Sequence, residues 1–261
     1  MTICTLASSS SGNCTIVSQG KTHLLIDAGI SLRRIREGLR LFGITPNELT
    51  GVLVTHEHSD HINGIKMLVK YHKTPVFASY GAGYGIGGVM PEADPYINFI
   101  EIGVTFELGD IVVSSFKTPH DAIDSVGYRL VAGGKTLSYA TDLGKVTDEV
   151  LEAASGADIA VIEANHDSEM LRSGPYPQFL KRRILSAHGH LSNNDSGKFA
   201  VRLAMSGTRI VQLAHLSREN NTPGLARQTV EDALTASGVA VGSQISLDVA
   251  PPFTPGKQYV L

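Results

Sequence analysis

The sequence predicts an α/β fold in which two mixed sheets lie face to face with helices outside. Strands and helices alternate from the N-terminus to about residue 80, a strand-only stretch follows from Asn98 to Ala140, and alternation resumes to the C-terminus. Each alternating half can cover one outer face of a sheet with its helices, which leaves the two inner faces to each other.

The elements follow from the pattern in order. β-branched or apolar runs bounded by glycine or polar residues mark strands at residues 3–6, 15–17, 24–26, 52–54 and 76–78. Between them, Ser31 caps a helix with Leu32, Ile35, Leu39 and Phe42 on one face and Gly43 as its stop, and Ile62, Ile65, Leu68 and Val69 mark a second. Strands at 105–108, 111–116, 127–131 and 136–139, joined by Gly-Asp and Gly-Gly turns, form an antiparallel meander. Beyond it come a helix at 148–154, a strand at 159–162, a helix near 179–185, and a helix opened by Ser192 with Asp195 at the third position. A strand at 210–213, a helix at 225–236 and a strand at 244–249 close the chain. The glycine-rich stretch 81–88 lacks the Lys-Ser/Thr of a phosphate loop and precedes no apolar helical run, so it is expected to be a mobile loop near the site.

Composition narrows the function. With 42% hydrophobic and 18% charged residues over 261, and only 11 prolines, the chain is neither disordered, collagenous nor coiled coil. Its 22 basic and 25 acidic residues sum to −3, so no global positive field attracts nucleic acid or anionic membrane, although local basic grooves remain open to it. No run approaches the roughly 18 apolar residues of a membrane span, and the first fourteen residues carry no basic start. These features, with only Cys4 and Cys14, lead us to expect a soluble, cytoplasmic protein with reduced thiols and no membrane partner. The ten histidines stand out, three of them between His56 and His61.

Thr55-His56-Glu57-His58-Ser59-Asp60-His61 follows the apolar strand 52–54 and precedes a helix. In extended chain His56 and His58 point to one side and can meet one metal, while Asp60 and His61, past the turn, can face a second ion beside it. Further donors end later apolar runs: His120, Asp142 and His215. Nitrogen and oxygen donors alone suit Zn, Mn or Fe.

This pattern resembles the metallo-β-lactamase superfamily, whose order is His-x-His-x-Asp-His, a distant His, Asp or Cys, then His. The likeness spans residues 24–216 and implies a four-layer αββα sandwich, one domain over residues 1–261 of two similar halves. It implies two divalent metal ions, Zn or Mn, with Fe also suited: His56, His58 and His120 on one, Asp60, His61 and His215 on the other, Asp142 bridging. Asp27 matches the superfamily's early aspartate, which orients ligands rather than binding metal. Asp142 stands where the best-known β-lactamases carry Cys, and His58 where oxygen-reducing diiron members carry Glu, so both branches are disfavoured. Thioester, lactone or phosphodiester hydrolysis is left.

His190 and Ser192 immediately precede a capped helix, whose N-terminus favours an anion, and the three histidines His166, His188 and His190 together favour a phosphate. They are the candidate phosphate-binding residues. Glu163-Ala164 and Gly189-His190-Leu191-Ser192 resemble segments of the superfamily's RNA-processing nucleases, which makes Glu163 and His190, with Asp60, catalytic residues, His190 as general acid. The residues 6–14, 118–121, 163–167 and 189–193 together look like a bacterial subgroup, the YycJ/WalJ type, whose members are two-metal 5′-to-3′ exonucleases on double-stranded DNA linked to repair. Nucleic acid, DNA before RNA, is then the partner. Basic clusters at Arg33, Arg34, Arg36 and Arg40, at Lys66, Lys70 and Lys73, and at Lys181, Arg182 and Arg183 are candidate grips, though solvated helix faces explain them as well. The competing readings are an RNA-processing nuclease, a small ester, thioester or lactone hydrolase, and a catalytically silent metal-stabilised binding protein.

Overall fold

A strand buried along its whole length needs cover on both faces, and residues 159–163 are such a strand. The computed structural model, which describes residues 1–261, supplies that cover with four layers. Its strands are β1 (Thr2–Ala7), β2 (Cys14–Gln19), β3 (Thr22–Ile26), β4 (Gly51–Leu53), β5 (Val76–Ser79), β6 (Ile97–Ile100), β7 (Thr105–Leu108), β8 (Ile111–Lys117), β9 (Val126–Ala132), β10 (Lys135–Ala140), β11 (Ile159–Glu163), β12 (Ile210–Ala214), β13 (Ser246–Val249) and β14 (Gln258–Val260). They form two seven-stranded sheets, ordered β14-β1-β2-β3-β4-β5-β6 and β13-β12-β11-β10-β9-β8-β7. Each sheet is antiparallel in one half and parallel in the other: β3 to β6 in the first, β10 to β13 in the second.

Alternation along the strands separates three cores. Ile3, Leu24 and Ile26 face inward with Leu53 to meet Tyr128, Leu137, Tyr139, Ile159 and Val161 of the opposite sheet. Their neighbours Cys4, Leu25 and Val52 face out against α1 (Leu32–Arg40) and, beyond the short α2 (Ser59–Ile62), against α3 (Ile65–His72) and α4 (Tyr80–Val89). On the other side Ala160, Ile162, Val211 and Leu213 pack on α5 (Asp148–Ala154), α8 (Asn193–Met205) and α9 (Pro223–Ala236). Between α5 and α8 the chain also forms α6 (Ser168–Ser173) and α7 (Gln178–Ile184). No helix is long and apolar enough to cross a membrane.

The glycine-rich stretch corrects the expectation of a loop. It is α4, capped by Ser79, whose side chain accepts from the Ala82 amide. Helix propensity alone would not favour five glycines in ten residues, but packing crowds a side chain at four of them, and a Cβ at Gly85 would lie 2.7 Å from the Glu57 side chain. The helix drawn through Ile62 to Val69 is two, broken at Asn63 and Gly64, where the Gly64 amide instead donates to Ala28 O at 2.7 Å. β6, β14 and α6 were not foreseen.

Candidate metal centre

The parallel strands of both sheets end at one place, and three of their exits bend the same way. Asp27, Asp142 and His215, just beyond β3, β10 and β12, have φ of 59°, 58° and 56°. Left-handed backbone at a non-glycine residue costs on the order of 1–3 kcal/mol and persists only where its surroundings hold it. For His215 the hold is explicit: its amide donates to Ser8 Oγ at 2.7 Å, and its carbonyl accepts from Asn165 Nδ2 at 2.9 Å. The N-terminal loop also fixes the histidine-rich segment, because the Asn13 amide donates to Asp60 O at 2.8 Å. Gly29 admits this approach, since a Cβ there would lie 1.6 Å from Asp60 O.

The donor atoms fall into overlapping groups. Ring nitrogens of His56, His58 and His120 lie within 4.8 Å of one another, as do donors of Asp60, His61 and His215. Asp142 forms a group with His56 and His61, and another with Glu163, His190 and His215, so it lies between the two sets. Hydrogen bonds aim the imidazoles. His120 Nδ1 donates to Gly189 O at 3.1 Å, His61 Nδ1 to Asp27 Oδ2 at 2.7 Å, and His215 Nδ1 to Glu163 Oε1 at 2.9 Å. In the neutral form of each ring the lone pair is on Nε2, facing the centre. Asp27 is itself fixed by the Thr55 amide at 2.8 Å.

These groups fit divalent cations on the protein's own electrostatics. His120 Nε2 and Asp142 Oδ2 are buried without a hydrogen-bond partner, a costly arrangement unless something else meets them. His56 Nε2 and His58 Nδ1 face each other at 3.0 Å. Burial works against charge on His215, yet the carboxylates of Asp142, Asp60 and Glu163 overcome it and push the imidazole up to about 10. The centre thus draws positive charge into a buried place, and burial of uncompensated carboxylates is too expensive to be retained idly.

Glu163 is wholly buried and saturated. Oε1 accepts from His190 and His215, Oε2 from the amides of Leu143 and Leu191, all at 2.8–2.9 Å. Burial opposes its ionisation, but His190 and His215 hold the carboxyl well below the usual range. His190 Nδ1 is engaged by Glu163, and the ring lines a cavity of about 270 Å³ with His58, Asp60, Asp142 and His215. The other candidate phosphate residues lie outside it. His188 is exposed beside Lys117 and Thr118. His166 is 1% exposed, its ring nitrogens unpartnered, and burial presses it down to about 4. Ser192 Oγ caps α8, bonded to Asp195.

The sequence pattern does not point to Ser8, Asn13 and Asn165, which hold the backbone of candidate donors, or to Tyr176 on the cavity wall, while Arg183, a candidate grip by sequence, also lines that wall. Arg183 Nε pairs with Asp121, next to His120. The serine-rich loop was a visible signal for the first two; its contact with His215 spans most of the chain.

A family model described as a beta-lactamase superfamily domain matches residues 22–216. The chain is 38% identical over 259 residues to "Exodeoxyribonuclease YycJ" of Bacillus anthracis, covering 98% of this chain and 97% of that protein. It is 37% identical over 259 residues to "Exodeoxyribonuclease WalJ" of Streptococcus pneumoniae, with 95% and 96% covered. Among solved structures, the metallo-beta-lactamase fold protein YhfI from Bacillus subtilis superposes with a TM-score of 0.74 at 17% identity, over 99% of this chain and 98% of that one.

Proposed function

Since this chain belongs to the metallo-β-lactamase superfamily, as a metal-dependent hydrolase, we propose that it is a two-cation phosphodiesterase that degrades double-stranded DNA from the 5′ end. The observation that carries this reading is the Glu163 bridge. One buried carboxylate binds both His215, in the donor set, and His190, on the cavity wall, so the donors and a proton-carrying imidazole form one rigid unit. The near full-length likeness to proteins named exodeoxyribonucleases supports DNA as the substrate.

His56, His58 and His120 would hold one cation, Asp60, His61 and His215 the other, and Asp142 both; Zn or Mn suits these donors. When bound, the pair supplies an acidified water and neutralises charge building on the phosphoryl oxygens. The chain's own groups do the rest. Asp60, whose side chain is 20% exposed at the cavity, orients the attacking water. Glu163 orients the His190 ring through Nδ1, and His190 donates a proton from Nε2 to the departing oxygen. Buried free thiols at Cys4 and Cys14 suit the reducing cytoplasm, where a role in DNA repair would place it.

The test is a linear duplex labelled separately at each 5′ and 3′ end, incubated with Mn²⁺ or Zn²⁺. Early release of the 5′ label as mononucleotide, absent in Asp142→Ala, is the expected result. Cleavage of RNA or of neutral esters with intact DNA, by folded metal-loaded protein, overturns the substrate assignment.

A further inference from the structure

A duplex whose end enters the central cavity must also be held outside it, and several side chains of the basic clusters read from the sequence are committed elsewhere. Lys66 pairs with Glu92 and Arg33 with Glu37. Lys181 is 7% exposed and gives its ammonium to Arg172 O at 2.6 Å, fastening α7 to α6.

A second cleft, of about 330 Å³, opens beside the first. The segment Gly189-His190-Leu191 divides them, with Gly189 and His190 lining the central cavity and Leu191 the second. Lys145, three residues beyond Asp142, lines the cleft from the loop between β10 and α5. Lys198 and Arg202, four residues apart on α8, line it from the other side. Both Lys145 and Arg202 are exposed. The cleft's one carboxylate, Asp195, is taken by Lys198 at 2.8 Å and by Ser192 Oγ at 2.8 Å. Three cations thus meet one carboxylate, and Lys145 and Arg202 are left with free charge.

We propose that this cleft binds a backbone phosphate of the DNA strand whose end occupies the central cavity. The inference rests on the DNA reading above and assigns the grip to residues outside the metal centre. Lys and Arg converging on a groove suit a phosphodiester, and each phosphate so neutralised releases condensed counterions.

The experiment is fluorescence anisotropy of the metal-loaded full chain with a phosphorothioate duplex, which keeps the charge and slows cleavage, over roughly 50 to 200 mM salt. Lys145→Ala with Arg202→Ala is expected to flatten the log affinity against log salt slope by about 1, close to the 0.9 of one lost phosphate contact. Both side chains are exposed, so an unchanged thermal midpoint is the expected control. A double variant with the wild-type slope overturns this inference and leaves the DNA reading intact. A wild-type protein that binds no duplex at the lowest salt overturns both. Binding with the flattened slope, in a protein that hydrolyses no DNA, supports the cleft and removes the nuclease reading.

Discussion

Replacing Glu163 by Gln tests the bridge at the level of stability, without reference to turnover. The substitution keeps the shape and removes the charge. Wild-type Glu163 receives four donors, two on each oxygen: His190 and His215 on one, the Leu143 and Leu191 amides on the other. A glutamine has one oxygen and one NH₂, so in either orientation two of those donors point at another donor. A hydrogen bond to a charged group is worth about 1.5–3 kcal/mol, and two are lost in a fully buried place. Removing the charge returns some desolvation energy and relieves repulsion with Asp142, so a net loss of about 3 kcal/mol is expected. For a chain of this size that is a fall of roughly 6–12 °C in thermal midpoint. The assay is thermal unfolding followed by circular dichroism, wild type against Glu163→Gln, both in chelator. A midpoint within about 2 °C of wild type refutes the account of Glu163 as a saturated buried carboxylate.

Other predictions concern chemistry, packing and the thiols. His190→Ala is expected to lower kcat on DNA by about 100-fold, while cleavage of a p-nitrophenyl phosphodiester, whose leaving group needs no proton, falls far less; equal losses on both would remove the general-acid role. Gly29→Ala puts a Cβ 1.6 Å from Asp60 O, so it should displace the Asp60 backbone and abolish cobalt binding measured by absorption spectroscopy, and wild-type binding in the variant would contradict the packing. Asn165→Ala releases the His215 carbonyl and leaves the left-handed turn less supported, a loss of about 1–2 kcal/mol in chemical unfolding. Cys4 and Cys14 are fully buried, and burial pushes the Cys4 thiol up to about 11 and Cys14 higher still. At pH 8 only about one Cys4 thiol in a thousand is ionised, so neither should react with a thiol reagent until the protein is unfolded; fast labelling of the native chain would show the β1 and β2 packing to be wrong.

Much of the candidate centre is legible because its donor residues sit where strands end. His56 and Asp142 follow β4 and β10 within three residues, and His215 follows β12 directly, so local pattern and donor type coincide. The meander was readable for the same reason, since β7 matches residues 105–108 and its turns carry their own glycines. What was not legible depends on contacts distant in sequence. Ser8 and His215 are 207 positions apart, and although the serine-rich loop marks the segment, it does not say which strand exit the Ser8 hydroxyl will hold. α4 defied its own propensity because Glu57 and Phe99 require glycine opposite them. Lys181 reads as part of a basic run, yet it is turned inward to a carbonyl of α6, and only the fold distinguishes it from Arg183, which reaches the cavity wall.

The central claim, that a two-cation centre hydrolyses DNA, is tested most directly by returning Mn²⁺ in steps to chelator-stripped protein while following release of the 5′ label from a linear duplex. The account predicts no release without metal, release that rises to its plateau as the second equivalent per chain binds, and none at any metal level in Asp142→Ala. Full hydrolysis in the presence of chelator, or a folded chain holding two equivalents that leaves the duplex intact, would contradict it.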